Sequence, residues 1–358
     1  MINNSRTVEN TWEMLKCLYR ELRTKKFSSL DISNITNIDD LYAIVLVRWC
    51  ECLAKEGLYK EYITIENEEL SSPKGQINIQ ESINKQTISR GTLICSYDEL
   101  SEDVYINHIL KGTLHYIVFD SNIDNLIKLQ AKKVMQLYNG VKYIDINRVH
   151  WNDIKYNNSN IRYKHLLKMC RTYVYERDMV KKGLLDDDKR IYILFKKQLY
   201  KWLRQSCIYE EDIIEYFEVP FTLDTEQAFE RKEFNMQKLI AIRNDDAALL
   251  ICVRLQNELV IEDTTLIKKH YEELVRYLRE YSTIHKSKAS GCLMYVNINK
   301  NKLNIEPLAV NIVNNFIIGE TVVDIHDHYK FITNKIKDCY NYFIKRPRGK
   351  KKPHSIKA

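Results

Sequence analysis

At 358 residues, 45% hydrophobic and 29% charged, the chain has a globular composition and room for two domains, each with its own core. No apolar run reaches the roughly 18 residues a membrane span needs, and the start MINNSRTVEN lacks the basic and apolar regions of a secretory signal. The net charge of +7 resides in the tail: Lys345, Arg346, Arg348, Lys350, Lys351, Lys352 and Lys357 fall where there is no Asp or Glu, and the remaining 48 basic residues balance 48 acidic ones.

Nine cysteines are scattered without a C-x-x-C pair, as expected of reduced, buried thiols in the cytoplasm. Only 9 Gly and 5 Pro occur, so Asn, Asp and Ser punctuate the loops. The 24 tyrosines, with many Asn, Ile and Lys, fit an A·T-biased coding sequence better than a set of base-stacking surfaces.

Residues 8–22 and 39–56 read as helices. In the second, Leu41, Ile44, Val45, Arg48, Trp49 and Cys52 supply one face, and Gly57 is a natural C-cap. Short strands are expected at 61–65 and 76–79, on either side of the turn Ser71-Ser72-Pro73-Lys74-Gly75. Ser101 reads as the N-cap of a helix over 101–119, with Glu102 and Asp103 in its first turn. Ile106, Ile109, Leu110, Leu114, Ile117 and Val118 form its buried face. A helix over 121–138, the turn Asn139-Gly140 and a helix over 161–178 follow.

The charged stretch 181–190 is the domain boundary. After it come an amphipathic helix carrying Ile191, Leu194, Phe195, Leu199, Trp202 and Leu203, and strands at 217–223, 239–243 and 247–255. A helix over 264–281, capped by Asp263 or Thr264, precedes strands at 291–298 and near 320–325 and a last helix from 329 to about 345. The expected division is 1–180, 190–345 and a basic tail, 346–358, that stays disordered until it meets an anion such as a phosphate backbone.

Several blocks carry a family likeness. Lys74-Gly75-Gln76-Ile77, then Cys95, Tyr97, Asp98, Glu102 and Asp103, then Asn107, Ile109, Leu110 and Lys111, follow a K-G-x-I turn, a C/F-x-Y/F-D-x-x-x-E-D segment and an N-x-I/L-L/I-K helix. Val8 to Leu15 matches V-x-N-x-x-x-M-L, and Arg162-Tyr163 an R/T-Y segment. In this order the chain resembles McrC, the non-motor component of McrBC-type restriction systems, over roughly residues 6 to 343. The resemblance implies an α+β N-terminal, motor-engaging domain and then an α/β PD-(D/E)xK-like (restriction-endonuclease-like) domain with a mixed sheet. The helix, three strands, helix, strand order of the second half agrees.

What the resemblance implies for chemistry is a departure. A Mg²⁺-dependent nuclease of this fold needs hard oxygen ligands on two adjacent strands and a lysine beside the second. Here the first Asp position is Leu239, the second is Cys252 and the Lys is Arg254, while flanking helix positions become Lys196 and Glu272. Leucine cannot bind Mg²⁺ and cysteine is a soft ligand. The expectation is a subunit of a phage-defence restriction complex whose own catalytic centre is lost, with no cofactor of its own. Mg²⁺ and nucleotide would then belong to partner subunits: an McrB-like AAA+ GTPase or ATPase ring and a separate nuclease.

Lys74, Lys85 and Arg90 are the candidate partner-binding residues, in a segment 71–95 expected to enter the ring. Lys345, Arg346, Arg348, Lys350, Lys351 and Lys352 are the candidate contacts to double-stranded DNA. One alternative is a Mg²⁺-dependent endonuclease with relocated carboxylates from Asp245, Asp246, Glu258, Glu262 or Asp263; Asn244-Asp245-Asp246 reads more simply as a hairpin turn. Another is a DNA-binding regulator without a motor. Asp186-Asp187-Asp188 and His326-Asp327-His328 read as capping turns, and Cys50 and Cys52 point apart on their helix. No G-x-x-x-x-G-K-S/T phosphate loop is present.

Overall fold

The computed structural model describes residues 2–206, 213–220, 236–243, 247–255, 264–297 and 309–324. Two compact units divide the chain: Thr24–Leu185, and Met1–Arg23 together with Asp186–Ala358. The internal change of unit, at 185/186, falls within the charged stretch. The first 23 residues cluster with the second half, whereas the sequence reading kept them with residues 24–180. An apolar helix face states that it must be buried, but not against which neighbour.

In the first helix, α1 (Ile2–Leu18), Met14 and Leu15 are buried. The unit Thr24–Leu185 then opens with the single turn α2 (Lys25–Ser28) and α3 (Ile38–Glu56). The start of α3 is fixed by Asn37, whose side chain accepts from Asp40 N at 2.7 Å, with Asp39 and Asp40 favouring the positive helix end. Gly57 closes it at φ 102°. Leu41, Val45, Leu46, Trp49, Cys50 and Leu53 are buried along its length.

A three-stranded antiparallel sheet of order β1-β3-β2 follows, from β1 (Glu61–Leu70), β2 (Gln76–Ile77) and β3 (Leu93–Ser101), with α4 (Ile79–Asn84) between β2 and β3. Strand β1 runs five residues past its expected end. A bulge between Ile65 and Glu68, with Asn67 at φ 56°, resumes its pairing with β3. The alternation signal is missing there because β1 is exposed along nearly its whole length, with no buried face to impose one.

Ser101 ends β3 and does not cap the next helix. Its hydroxyl accepts from Asp103 N at 3.0 Å, and α5 (Tyr105–Phe119) starts beyond Val104. The Ser-Glu-Asp pattern gives the turn an N-cap appearance without its position. The predicted face of α5 is buried as expected.

Helices α6 (Asn125–Met135) and α7 (Lys164–Lys181) pack with α3 and α5 into one helical core. Asn107 donates to Tyr59 O at 2.7 Å and Glu102 O at 2.8 Å; Lys111 donates to Tyr138 O at 3.0 Å and Val141 O at 2.6 Å. The polar residues of the N-x-I/L-L/I-K motif are therefore ties between α5 and its flanking loops.

In the other unit α8 (Asp187–Ser206) packs on α1, and Lys201 Nζ donates to Leu18 O at 2.6 Å, satisfying a carbonyl at the α1 terminus. Among the described residues its sheet has six strands in the order β4-β5-β6-β7-β9-β8. They are β4 (Ile213–Pro220), β5 (Met236–Arg243), β6 (Ala247–Leu255), β7 (Lys288–Asn297), β8 (Ala309–Val313) and β9 (Phe316–Asp324). Pairing is antiparallel from β4 to β6, parallel from β6 through β7 to β9, and antiparallel at β8.

Helix α9 (Thr264–His285) supplies the crossover that the parallel β6–β7 pair requires. Strand β8 was not expected. It pairs with β9 across Asn314 and Asn315, both at positive φ (49° and 68°), a turn that asparagine tolerates. The expected helix 329–345 and the basic tail lie outside the described residues.

Candidate functional site

Strands β5 and β6 are where the likeness to a nuclease puts its carboxylates. The antiparallel register pairs Ile240 with Ile251, and the residues next to that pair, Leu239 and Cys252, lie in one core cluster. Leu239 is 0% exposed and Cys252 1%, and both belong to a core cluster with Ala241, Leu250, Leu293, Tyr295 and α9 residues Leu274, Tyr277, Leu278 and Tyr281. Burial pushes the Cys252 thiol upward, only partly offset by the Arg254 and Lys196 charges, so it stays protonated. This face is apolar and closed. It does not fit Mg²⁺.

Two residues beyond Cys252 the surroundings turn polar. Arg254 forms an ion pair with Glu273 of α9, with side chains 12% and 22% exposed. One turn earlier on α9, His270 is 4% exposed, with Nδ1 3.2 Å from the Tyr295 hydroxyl. Desolvation first, then the Arg254 charge, brings the imidazole down to about 4, so it is neutral at pH 7. Tyr271 donates to Glu320 Oε2 at 2.8 Å and accepts from Asn311 at 3.0 Å.

Of the flanking positions named from sequence, Lys196 Nζ lies 5.4 Å from the Tyr192 ring centroid. Glu272 is exposed, and its neighbour Glu273 meets Arg254. Glu273 and His270 were missed, although both lie at helical spacing from the apolar face of α9 formed by Leu274, Tyr277 and Tyr281. Asp245, Asp246, Glu258, Glu262, Asp263, His326, Asp327, His328 and the basic residues from Lys345 onward lie outside the described residues. Asp186 accepts from Lys189 N at 2.8 Å and Asp187 pairs with Arg190 at 3.0 Å, as first-turn residues do. Among the described residues no group of three His, Cys, Asp or Glu could hold a metal ion. No helix among them is long and apolar enough to cross a membrane.

The second candidate is the β1–β3 ribbon with its β2–α4 insertion. Tyr62 is 74% exposed, and Ile63, Ile77, Ile79, Ile83, Ile88 and Leu100 are exposed too. Strands β1 and β3 carry Glu61, Glu66, Glu68, Glu69, Asp98 and Glu99 without a Lys or Arg, while the insertion carries Lys74, Lys85 and Arg90. Lys74 Nζ lies 3.9 Å from the centroid of the Tyr97 ring, whose hydroxyl donates to Glu68. Lys85 pairs with Glu81 at 3.4 Å and Arg90 with Glu69 at 3.3 Å. These exposed pairs hold their partners weakly.

Gly75 (φ 68°) lies so close to β3 that a Cβ would stand 2.5 Å from Ser96 O and 2.6 Å from Tyr97 Cβ. The glycine of the K-G-x-I turn is therefore required by the approach of β2 to β3. Within the insertion, Ser82 is buried; it donates to Asn78 O at 2.7 Å and accepts from Ile94 N at 2.9 Å, fixing α4 on β3.

A family model described as "McrBC 5-methylcytosine restriction system component" matches residues 3–212, ending before the strands of the six-stranded sheet. The chain is 20% identical over 360 residues to the Type IV methyl-directed restriction enzyme EcoKMcrBC of Escherichia coli (strain K12), covering 94% of this chain and 98% of that one. Its fold is similar to a chain of the half-complex from a tetradecameric assembly of Thermococcus gammatolerans McrB AAA+ hexamers with bound McrC. The TM-score there is 0.60 at 14% identity, over 93% of this chain and 75% of that chain.

Proposed function

The chain belongs to the McrBC 5-methylcytosine restriction system component family, McrC-like within it, and from that premise we propose that it is the adaptor subunit of a DNA restriction complex. It binds an McrB-like AAA+ ring through the β1–β3 ribbon and the β2–α4 insertion, stimulates nucleotide hydrolysis there, and couples the motor to a cleavage centre on another subunit. The observation that carries this reading is the ribbon itself. It keeps Tyr62, Ile79, Ile83 and Leu100 in water, where apolar side chains contribute nothing to this unit's core and are available to a partner.

The lost-centre half of the proposal is supported by Leu239 and Cys252, sealed in the core where a restriction-endonuclease-like PD-(D/E)xK site would need carboxylates. The basic tail supplies a nonspecific, salt-sensitive grip on double-stranded DNA, and the place of action is phage defence in the cytoplasm. Mixing the chain with an McrB-like AAA+ protein from the same organism tests the reading. Co-assembly and faster nucleotide hydrolysis are expected, both reduced by Ile79→Asp with Ile83→Asp. A chain that neither assembles with nor stimulates the motor, or that cuts DNA alone with Mg²⁺, refutes it.

A further inference from the structure

One face of α5 runs from the helical core, where Gly112 is buried and Tyr116 meets Tyr173 edge-on at 6.1 Å, out to solvent at Phe119. Gly112, His115, Tyr116 and Phe119 recur along it at i, i+3, i+4 and i+7, and they line a cleft of about 200 Å³ with Asp120, Tyr143, Asp145, Ile146, Asn147 and Lys181. Glycine inside a helix costs about 1 kcal/mol against alanine. Here a Cβ on Gly112 would stand 2.8 Å from Ile144 O. The glycine lets segment 143–147 lie against the helix, which brings Tyr143 over His115.

The result is an aromatic slot. The His115 ring centroid is 4.4 Å from those of Phe119 and Tyr143. Burial lowers the His115 pKa, which keeps the ring neutral at pH 7. Phe119 is 73% exposed and Tyr143 50%, so two large rings meet solvent at one rim.

The remaining lining is polar. Both Asp120 oxygens accept from Arg177 at 2.8 Å, which neutralises that carboxylate, and Asp145 pairs with Arg148 at 3.5 Å. Lys181 Nζ donates to Tyr116 OH at 3.2 Å and lies 3.9 Å from Asp120 Oδ2, its side chain 49% exposed. The Asn147 amide donates to Asp145 at 3.1 Å and presents a carbonyl as well. An aliphatic side chain in this slot would strip water from these groups and return no hydrogen bond, a cost that disfavours it. A flat heterocycle with donors and acceptors on its edge, joined to an anion, matches rings, polar rim and lysine together. The cleft falls below the roughly 300 Å³ typical of drug-sized ligands, which suits a single ring system.

We propose that this cleft binds a nucleobase: an unstacked base of single-stranded DNA, stacked on the Phe119–His115–Tyr143 rings, with Lys181 facing the adjoining phosphate. Base stacking on aromatic side chains is how sequence-tolerant single-strand sites work. The proposal is independent of ring binding by the β1–β3 ribbon.

The test compares binding of the full chain to a labelled single strand and to the same strand with abasic positions, so that phosphate binding by the basic tail cancels. The intact strand is expected to bind about tenfold tighter, as stacking of one or two bases gives. Phe119→Ala and, separately, Tyr143→Ala are expected to abolish that difference and leave abasic-strand binding unchanged; both residues are exposed enough to lose without unfolding. Equal binding of the two strands by the wild type, or a difference that survives both variants, overturns the proposal. Free deoxynucleoside monophosphate that competes as well as the strand, base for base, assigns the slot to a soluble nucleotide and overturns the single-strand source.

Discussion

Arg254 on β6 and Glu273 on α9 form an ion pair at the polar end of a core face whose next two inward positions are Cys252 and Leu239. A guanidinium and a carboxylate of the chain itself thus balance charge beside an apolar core face. Removing one partner leaves a largely buried charge uncompensated. Arg254→Met or Glu273→Leu alone is expected to cost about 3 kcal/mol, whereas the two together recover most of that loss. Urea midpoints arranged as a double-mutant cycle measure it; additive losses would show that the two residues do not act as a pair.

A second buried pairing organises the helical unit. Arg177, with 0% side-chain exposure, donates to both oxygens of Asp120 at 2.8 Å and to Asp39 at 2.5 Å, joining α7 to the end of α5 and the start of α3. Lysine carries the charge but not the fork. Arg177→Lys is expected to lower stability by about 3 kcal/mol, a melting shift of roughly 10 °C in a unit of this size. Arg177→Met, leaving two carboxylates facing each other, is expected to do worse; scanning calorimetry ranks the two.

His270 makes the other unit sensitive to mild acid. Its folded value of about 4 lies below the unfolded value near 6.5. Above pH 6.5 both states are neutral and the group has no effect. As pH falls from 6.5 to about 4 the unfolded chain takes up a proton that the folded chain refuses, so stability declines by up to about 3 kcal/mol. His270→Phe removes this part of the slope. Urea midpoints at pH 7 and pH 4.5 for both proteins would show it, and parallel declines would argue against it.

Gly75 tests the geometry of the K-G-x-I turn. Gly75→Ala meets Ser96 O and Tyr97 at 2.5–2.6 Å and must hold φ near 68°. A local penalty of roughly 1–2 kcal/mol is expected. Hydrogen exchange should quicken in β2 and at Ser96 and leave α3, α5 and α7 protected. Motor stimulation should fall with it, because the β2–α4 insertion is the part proposed to meet the ring. Unchanged exchange in β2 would contradict the close approach.

How far the sequence reaches is clearest at particular residues. The 3.6-residue period gives the buried face of α5, whose predicted positions are all inside, but it misplaces that of α3, where Ile44, Arg48 and Cys52 are half-buried while Leu46, Cys50 and Leu53 lie in the core. The charged run 181–190, which has nothing to bury, contains the 185/186 change of unit. Leu239 and Cys252, apolar and thiol side chains where the family likeness leads one to expect carboxylates, are legible one residue at a time.

Only the tertiary structure decides the rest. Whether α1 belongs with residues 24–185 or with 186–358 depends on which apolar stripe it meets, and no local pattern records that. Strand β1 is exposed along nearly its whole length, so no burial pattern marks its end and its cross-strand pairing with β3 defines it. Glu273 rather than Glu272 meets Arg254 because adjacent helix positions point about 100° apart, and only the packing of α9 on the sheet selects between them.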